Sequence, residues 1–196
     1  MLRPLLLAAA AALGLALPAA SDPIPVRTLS GYLNAMQAGT SEFTQISANG
    51  REDRGILHVQ RPYRMRFEYS TQPVLLLASA GQVAIFDGKS NAGPQQYPMS
   101  KTPLSLILAP QIDLERQGAI VGHGEVGGNT IVTLRDPSGT TPGSVDLVFA
   151  PGPVLKQWTT TDELGQRTTV ILSGMRPAQF PSSTFTIQNE IQRRER

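Results

Sequence analysis

From Gly55 to Tyr69 the chain reads GILHVQRPYRMRFEY, and its alternation restricts the possible folds more than any other feature. Leu57, Val59, Met65, Phe67 and Tyr69 share one parity, while His58, Gln60, Arg64, Arg66 and Glu68 share the other. A period of two describes strands with one face on a core. The two arms keep their apolar residues on a common face only if an odd number of residues connects them. A three-residue loop at Pro62-Tyr63-Arg64 meets that condition. It leaves Arg61 in the apolar register, at the rim of the same face. A guanidinium there has five donors and no acceptor. From the residues alone Arg61 reads either as a solvated turn residue or as a donor to unpaired helix C-terminal carbonyls.

The rest of the chain repeats the theme. Strand signals fall at 43–48, 55–60, 64–70, 73–79 and 82–86, and again at 119–123, 129–135, 144–150, 154–163 and 167–173. NGRED, Ala80-Gly81, GEVGGN, DPSGTTPG, PGP and LGQ separate them. Short strands at hairpin spacing predict an antiparallel sheet, and no βαβ alternation argues for a parallel one. Two helices interrupt it. Asp22-Pro23 reads as an N-cap and first turn, with Val26, Leu29, Leu33 and Met36 at helical spacing and AGT at 38–40 as the stop. KTPLSLILAP offers Thr102 as N-cap before Leu104, Leu106, Ile107 and Leu108. That short helix is apolar nearly all round, so it should be covered on more than one side. The reading is α+β: a large antiparallel sheet with two to three helices against one face.

Arg3, the Leu/Ala run after it and the small residues Ala19 and Ser21 predict a signal peptide over 1–21. Cleavage leaves 22–196, enough for a single well-buried domain. With no cysteine the exported chain holds its fold without disulfides and has no thioether lipid anchor, so it should be soluble. The 17 basic and 15 acidic residues nearly balance, which gives no electrostatic footprint for nucleic acid. The basic tail RRER reads as a solvated end.

Chemistry-bearing constellations do not emerge. GHGEVG at 122–127 fits a glycine-rich nucleotide loop only if a helix follows, but GNTIVTL is a strand. His58 and His123 are far apart, and there is no cysteine to join them on a metal. Asp113 and Glu115 fit a solvated turn as well as an acid/base pair. The expectation is a protein that is not an enzyme and carries neither cofactor nor metal.

The run RGILHVQRPYRMRFEY…P…ASAGQVAIFD, followed by TPLSLIL, resembles the LolA family of outer-membrane lipoprotein carriers. Phe43-Thr44-Gln45, KQWTTTDELGQRTTVIL and the closing STFTI extend the resemblance over residues 22–187. It rests on the order and spacing of these pieces. Two departures stand out: Met65 replaces a frequent aromatic, and the chain stops in QNEIQRRER, which puts the longer C-terminal loop and extra strand of some members in doubt.

The resemblance implies a strongly curved antiparallel sheet, an unclosed half-barrel, with the helices as a lid over an apolar concave face. It implies a periplasmic chaperone that receives lipoprotein acyl chains from the inner-membrane ABC complex LolCDE and passes them, as a monomer, to the outer-membrane receptor LolB. The expected lipid-binding wall is Leu57, Val59, Met65, Phe67, Tyr69, Leu75, Leu77 and Ile85. The expected lid residues are Val26, Leu29, Leu33, Leu104, Ile107 and Leu108, and Arg61 takes the place of the family's lid-latching arginine. The alternative is another periplasmic lipid- or glycolipid-binding half-barrel, a carrier or a sensor.

Overall fold

The alternating segments form one continuous sheet in the computed structural model, which describes residues 22–90, 92–116 and 118–195. The predicted signal peptide, 1–21, lies outside them. The chain enters through helix α1 (Val26–Ala35) and five hairpin-connected strands: β1 (Ala38–Ile46), β2 (Glu52–Gln60), β3 (Arg64–Tyr69), β4 (Val74–Ser79) and β5 (Gln82–Asp87). A short β6 (Gln95–Pro98), a 3-10 turn (Met99–Lys101) and helix α2 (Ser105–Leu108) follow. The second half supplies β7 (Ile120–Val126), β8 (Asn129–Leu134), β9 (Ser144–Ala150), β10 (Val154–Thr161), β11 (Arg167–Leu172) and the two-residue β12 (Arg176–Pro177), and ends in helix α3 (Ile187–Arg194).

Strand order is β6-β5-β4-β3-β2-β1-β11-β10-β9-β8-β7, with β12 beside β1, and every paired neighbour is antiparallel. The outer strands β6 and β7 do not pair with each other, so the sheet is an unclosed half-barrel. Its curvature needs close approach at Gly55. A Cβ there would lie 1.9 Å from the Glu68 carbonyl oxygen and 2.9 Å from the Phe43 ring. Only glycine lets β2 and β3 fold over the aromatic cluster beneath them.

Both faces of the first half of the sheet are covered. On the concave side Leu57, Val59, Met65, Phe67, Trp158 and Val170 pack with Leu29 and Leu33 of α1 and with Ile107 and Leu108 of α2. On the convex side Leu75, Leu77, Ala84 and Phe86 pack under Phe180, Phe185, Ile187 and Ile191 of the C-terminal segment. Glu190, 4% exposed, anchors that segment by accepting from Arg66 (3.2 Å), Arg194 (2.8 Å) and Arg193. The Arg194 guanidinium also lies over the Phe86 ring, 4.9 Å from its centroid. His58, its ring 5.0 Å from that of Phe180, is held below its ordinary pKa chiefly by burial.

Several expectations change. Helix α1 begins at Val26, with Pro25 rather than Asp22 at its N-cap, because the Pro25 carbonyl accepts from the Thr28 and Leu29 amides (2.9 and 3.2 Å). The AGT stretch is the start of β1, which pairs with β2 as far back as Ala38↔Gln60. Thr102 closes the preceding 3-10 turn instead of capping α2. The hairpin loop after β2 is Arg61-Pro62-Tyr63, one residue earlier than read; it is still odd, so Leu57↔Phe67 and Val59↔Met65 stay on one face. Past the last strand, Ser182–Phe185 is a 3-10 turn and α3 starts at Ile187. Arg193, Arg194 and Glu195 of the tail are exposed, as read, although Arg193 and Arg194 reach back to the buried Glu190.

Two outcomes follow from these contacts. Gly55→Ala forces the β2–β3 backbone apart and lowers unfolding stability by about 3 kcal/mol, the cost of overpacking a tight site; denaturant titration reads it as a lowered midpoint. The Glu190 carboxyl feels burial, which raises its pKa, but hydrogen bonds from Arg193 and Arg194 and the charge of Arg66 prevail and bring it from 4.5 to about 2. A folded pKa below the unfolded one means stabilisation that is whole above pH 4.5 and drains away as pH falls toward 2. Glu190→Gln removes that part of the acid dependence and costs about 3 kcal/mol at neutral pH by leaving Arg66 underpaired; melting curves from pH 7 to 2 for both proteins check it.

Candidate functional site

A cavity of about 450 Å³ lies between the concave face and the lid. Its floor is aromatic. Phe67 meets Phe43 edge-on at 5.1 Å between ring centroids and Trp158 at 6.3 Å, and Tyr69 meets Phe43 at 5.3 Å. Val74, Leu76, Ala78, Val83 and Ile85 form one wall, and Leu104, Leu108, Pro103 and Met99 the roof. The far end is polar, where Gln45, Arg51, Gln72, Thr160 and Thr168 line the opening. The volume falls within the roughly 300–1,000 Å³ common for small-molecule sites.

Most of the expected wall residues come together here. Leu57, Val59, Met65 and Phe67 are buried in the concave cluster, Tyr69 packs against it, and Phe67, Tyr69 and Ile85 line the cavity itself. Leu75 and Leu77 do not belong to it. They face the opposite side, under the C-terminal segment, and the concave residues of β4 are Val74, Leu76 and Ala78. The reason is the connection from β3 to β4: four residues separate Tyr69 from Val74, an even count that pairs Phe67 with Leu76 and Glu68 with Leu75. The lid positions converge on the concave core. Leu29, Leu33, Ile107 and Leu108 are buried, and Val26 and Leu104 pack beside them.

Arg61 lies at the other end of the cavity, only 5% exposed. Its Nε and Nη2 donate to the Ala109 carbonyl (3.1 and 2.8 Å), Nη2 also approaches the Pro110 carbonyl (3.2 Å) and Asn34 Oδ1 (3.1 Å), and Nη1 donates to the Leu33 carbonyl. Its backbone N–H donates to the Gln37 carbonyl (2.8 Å), and that of Tyr63 to Leu108 (2.9 Å). One side chain therefore ties the C-terminal ends of α1 and α2 to the same hairpin. Burial lowers the Arg61 pKa below its ordinary value, the expected direction for a desolvated cation.

Asn34 is the partner that sequence reading missed. Its Nδ2 donates to the Ile112 carbonyl (2.7 Å), and its Oδ1 accepts from the Ile112 amide (2.9 Å) as well as from Arg61. It stands off the apolar stripe of α1, where polar residues are ordinary, so no periodicity marks it. A side chain that bridges both lid pieces is visible only in three dimensions.

The remaining polar candidates hold no reaction centre. His123 approaches the Ile24 carbonyl (3.0 Å) far from His58, and Asp113 accepts from the Glu115 amide (2.9 Å) within a turn. Val126-Gly127-Gly128 turns β7 into β8, so the glycine-rich stretch is a hairpin. Among the described residues no three potential metal ligands assemble. The Tyr69 hydroxyl, which donates to Gln45 Oε1 (2.8 Å), is pushed up to about 12 chiefly by burial and then by the nearby Asp53 charge.

Residues 34–188 match the family model described as outer membrane lipoprotein carrier protein LolA. Proteins named outer-membrane lipoprotein carrier protein from Pseudomonas paraeruginosa and Pseudomonas aeruginosa are each 29% identical over 177 residues, covering 85% of this chain and 84% of theirs. Among solved structures, a conserved protein of Thermus thermophilus matches at 9% identity and TM-score 0.47 over 82% of this chain and 93% of its own. A LolA superfamily protein of Nitrosomonas europaea matches at 10% and 0.43 over 83% and 98%. With its family model matched over most of its length, this chain belongs to the LolA family of outer membrane lipoprotein carrier proteins.

Proposed function

We propose that this protein is a periplasmic carrier that accepts the acyl chains of lipoproteins released from the inner membrane by LolCDE and delivers them to LolB at the outer membrane. The observation that carries the reading is the largely apolar cavity roofed by α2 and the turn before it, with the end of α2 tied by a single arginine to the β2–β3 hairpin and to α1. The names of the Pseudomonas relatives point the same way.

The physics of acyl cargo suits such a site. Each methylene withdrawn from water is worth about 0.8 kcal/mol, so the roughly forty methylenes of three acyl chains hold some 30 kcal/mol. Non-covalent binding saturates near 20 kcal/mol in magnitude. Release into free water is therefore closed, and transfer has to run from one apolar surface to another. The lid bonds are each about 1 kcal/mol net, a range that cargo or a docking partner can offset. The chain needs no chemical step of its own for this work. Among the described residues no helix is long and apolar enough to cross a membrane.

Phe67→Asp puts a charge on the cavity floor and should abolish acyl binding in a variant that still folds. Native mass spectrometry after incubation with acylated lipopeptide measures it; normal loading would overturn the assigned face. The same spectra on protein purified from cells separate an acylated protein cargo from a glycolipid or fatty acid.

Arg61→Leu should keep the fold, since leucine suits the concave register, while the lid loses about 1–3 kcal/mol of closure. Such a variant takes lipoprotein from inner-membrane vesicles yet fails to pass it to the receptor, because the opened cavity holds acyl chains too favourably. Arg61→Lys, which keeps charge without the planar fork, is intermediate. A two-step assay, release from vesicles followed by transfer to LolB, reads both. Delivery at the wild-type level by Arg61→Leu would reduce Arg61 to a structural turn residue.

A further inference from the structure

The two ends of the cavity differ in chemistry. The end beneath the latch is apolar, closed by Leu104, Leu108 and Met99. The opposite end, at the tips of the β1–β2, β3–β4 and β10–β11 hairpins, carries Gln45, Arg51, Gln72, Thr160 and Thr168. Binding an apolar chain alone would not call for so many polar side chains on one wall.

Two of these groups are held in place by residues behind them. Arg51 Nε donates to Asp53 Oδ2 (2.9 Å), and Asp53 is 4% exposed and also accepts from the Thr71 hydroxyl (3.0 Å). The backbone around Arg51 is fixed too: its N–H donates to Asn49 Oδ1 (3.1 Å), and its carbonyl accepts from Ser47 (2.9 Å). That leaves the two terminal nitrogens of a guanidinium that lines the cavity, its side chain 58% exposed, with donors to spare. Gln45 is oriented in the same manner. The buried Tyr69 hydroxyl donates to its Oε1 (2.8 Å), and its NH2 group donates to the Ser47 hydroxyl (3.5 Å), which fixes the amide and leaves one N–H of the NH2 group without a protein partner. Burial keeps Tyr69 a neutral donor. The outcome is a collar in which fixed N–H donors predominate, set over an apolar well.

From this arrangement we infer a second subsite: the collar binds the ester and amide carbonyl oxygens at the root of acylated cargo, with Arg51 and Gln45 as principal donors and Gln72 beside them. The inference rests on the acyl-carrier reading and deepens it. Cargo then lies in one orientation, with chain ends under the latch and the acylated head group at the polar mouth. Carbonyl oxygens clustered within a few bonds of the chains are acceptors only, and they match a ring rich in donors. A hydrocarbon without them fills the well and leaves the collar unused.

The test compares three probes on the purified protein: a diacylated lipopeptide with ester-linked chains, its ether-linked analogue of equal chain length, and diphenylhexatriene, which has no polar atom. Wild type should bind the ester form roughly tenfold more tightly than the ether form, the usual worth of one or two hydrogen bonds to a charged donor. The double variant Arg51→Ala/Gln45→Ala should lose that preference, with a much smaller change in diphenylhexatriene binding than in binding of the ester form. Arg51→Lys, which retains charge without the fork, should keep part of the preference. Equal binding of ester and ether forms by wild type would overturn the collar and leave the acyl-carrier reading standing. Loss of diphenylhexatriene binding in the double variant would also overturn it, by showing that the collar only supports the well. If wild type binds neither lipopeptide nor diphenylhexatriene, the carrier reading itself fails and the collar with it.

Discussion

A guanidinium buried to 5% exposure is costly unless nearly every donor finds an oxygen, and the carbonyls at a helix end are costly unless a donor finds them. Arg61 meets both needs with one side chain. Its acceptors are the Leu33 carbonyl in the last turn of α1, the Ala109 and Pro110 carbonyls just past α2, and the Asn34 amide oxygen between the two. The lid is not held by its own length. Helix α2 is one turn, too short to stand alone in water. It persists because Ile107 and Leu108 are buried and because its C-terminal end is pinned to the β2–β3 hairpin. Without the arginine that end would be an orphaned set of carbonyls over a hollow.

The same economy explains the sheet. A half-barrel has an inside and an outside, and the outside usually faces water. Here the outside of β3 to β5 is covered as well, by a C-terminal segment fixed through Glu190 to Arg66 of β3. The concave side therefore does not supply all of the packing that stabilises β3 and β4. A wall braced from behind can keep its inner surface partly unfilled. Tight interiors otherwise resist holes, since lining atoms lose their contacts.

Legibility followed from how each signal arises. Alternation in β2 and β3 is sharp, so the concave residues from Leu57 to Tyr69 and the odd loop between their strands could be read from residues 55–69 alone, and Arg61 announced itself as a charge in an apolar register. In VLLLAS the alternation disappears because both faces are buried, and parity could be taken only from the loop before it. Four residues there carry the concave face to Val74, Leu76 and Ala78, and a two-residue turn then carries it to Val83 and Ile85. Leu75 and Ile85, both assigned to the wall, could not share a face across that turn. The C-terminal helix was hidden for a different reason. QNEIQRRE has too few apolar residues to announce a buried side, and its burial comes from an ion-pair cluster with a partner more than a hundred residues away. Asn34 was hidden because bridging has no periodicity.

The geometry also places the two ends of the cavity under different physical control. At the latch end closure depends on hydrogen bonds, short-ranged and directional, which either form together or are replaced by water. At the proposed collar end, what decides occupancy is whether a ligand brings acceptors to the donors there. Apolar contact along the well supplies most of the affinity and no preference between chains of equal length. Direction of loading and selectivity therefore cannot come from the well. They have to come from its ends, where the sequence spends its polar residues: an arginine with two lid segments in its grip at one end, and an arginine braced by a buried aspartate at the other.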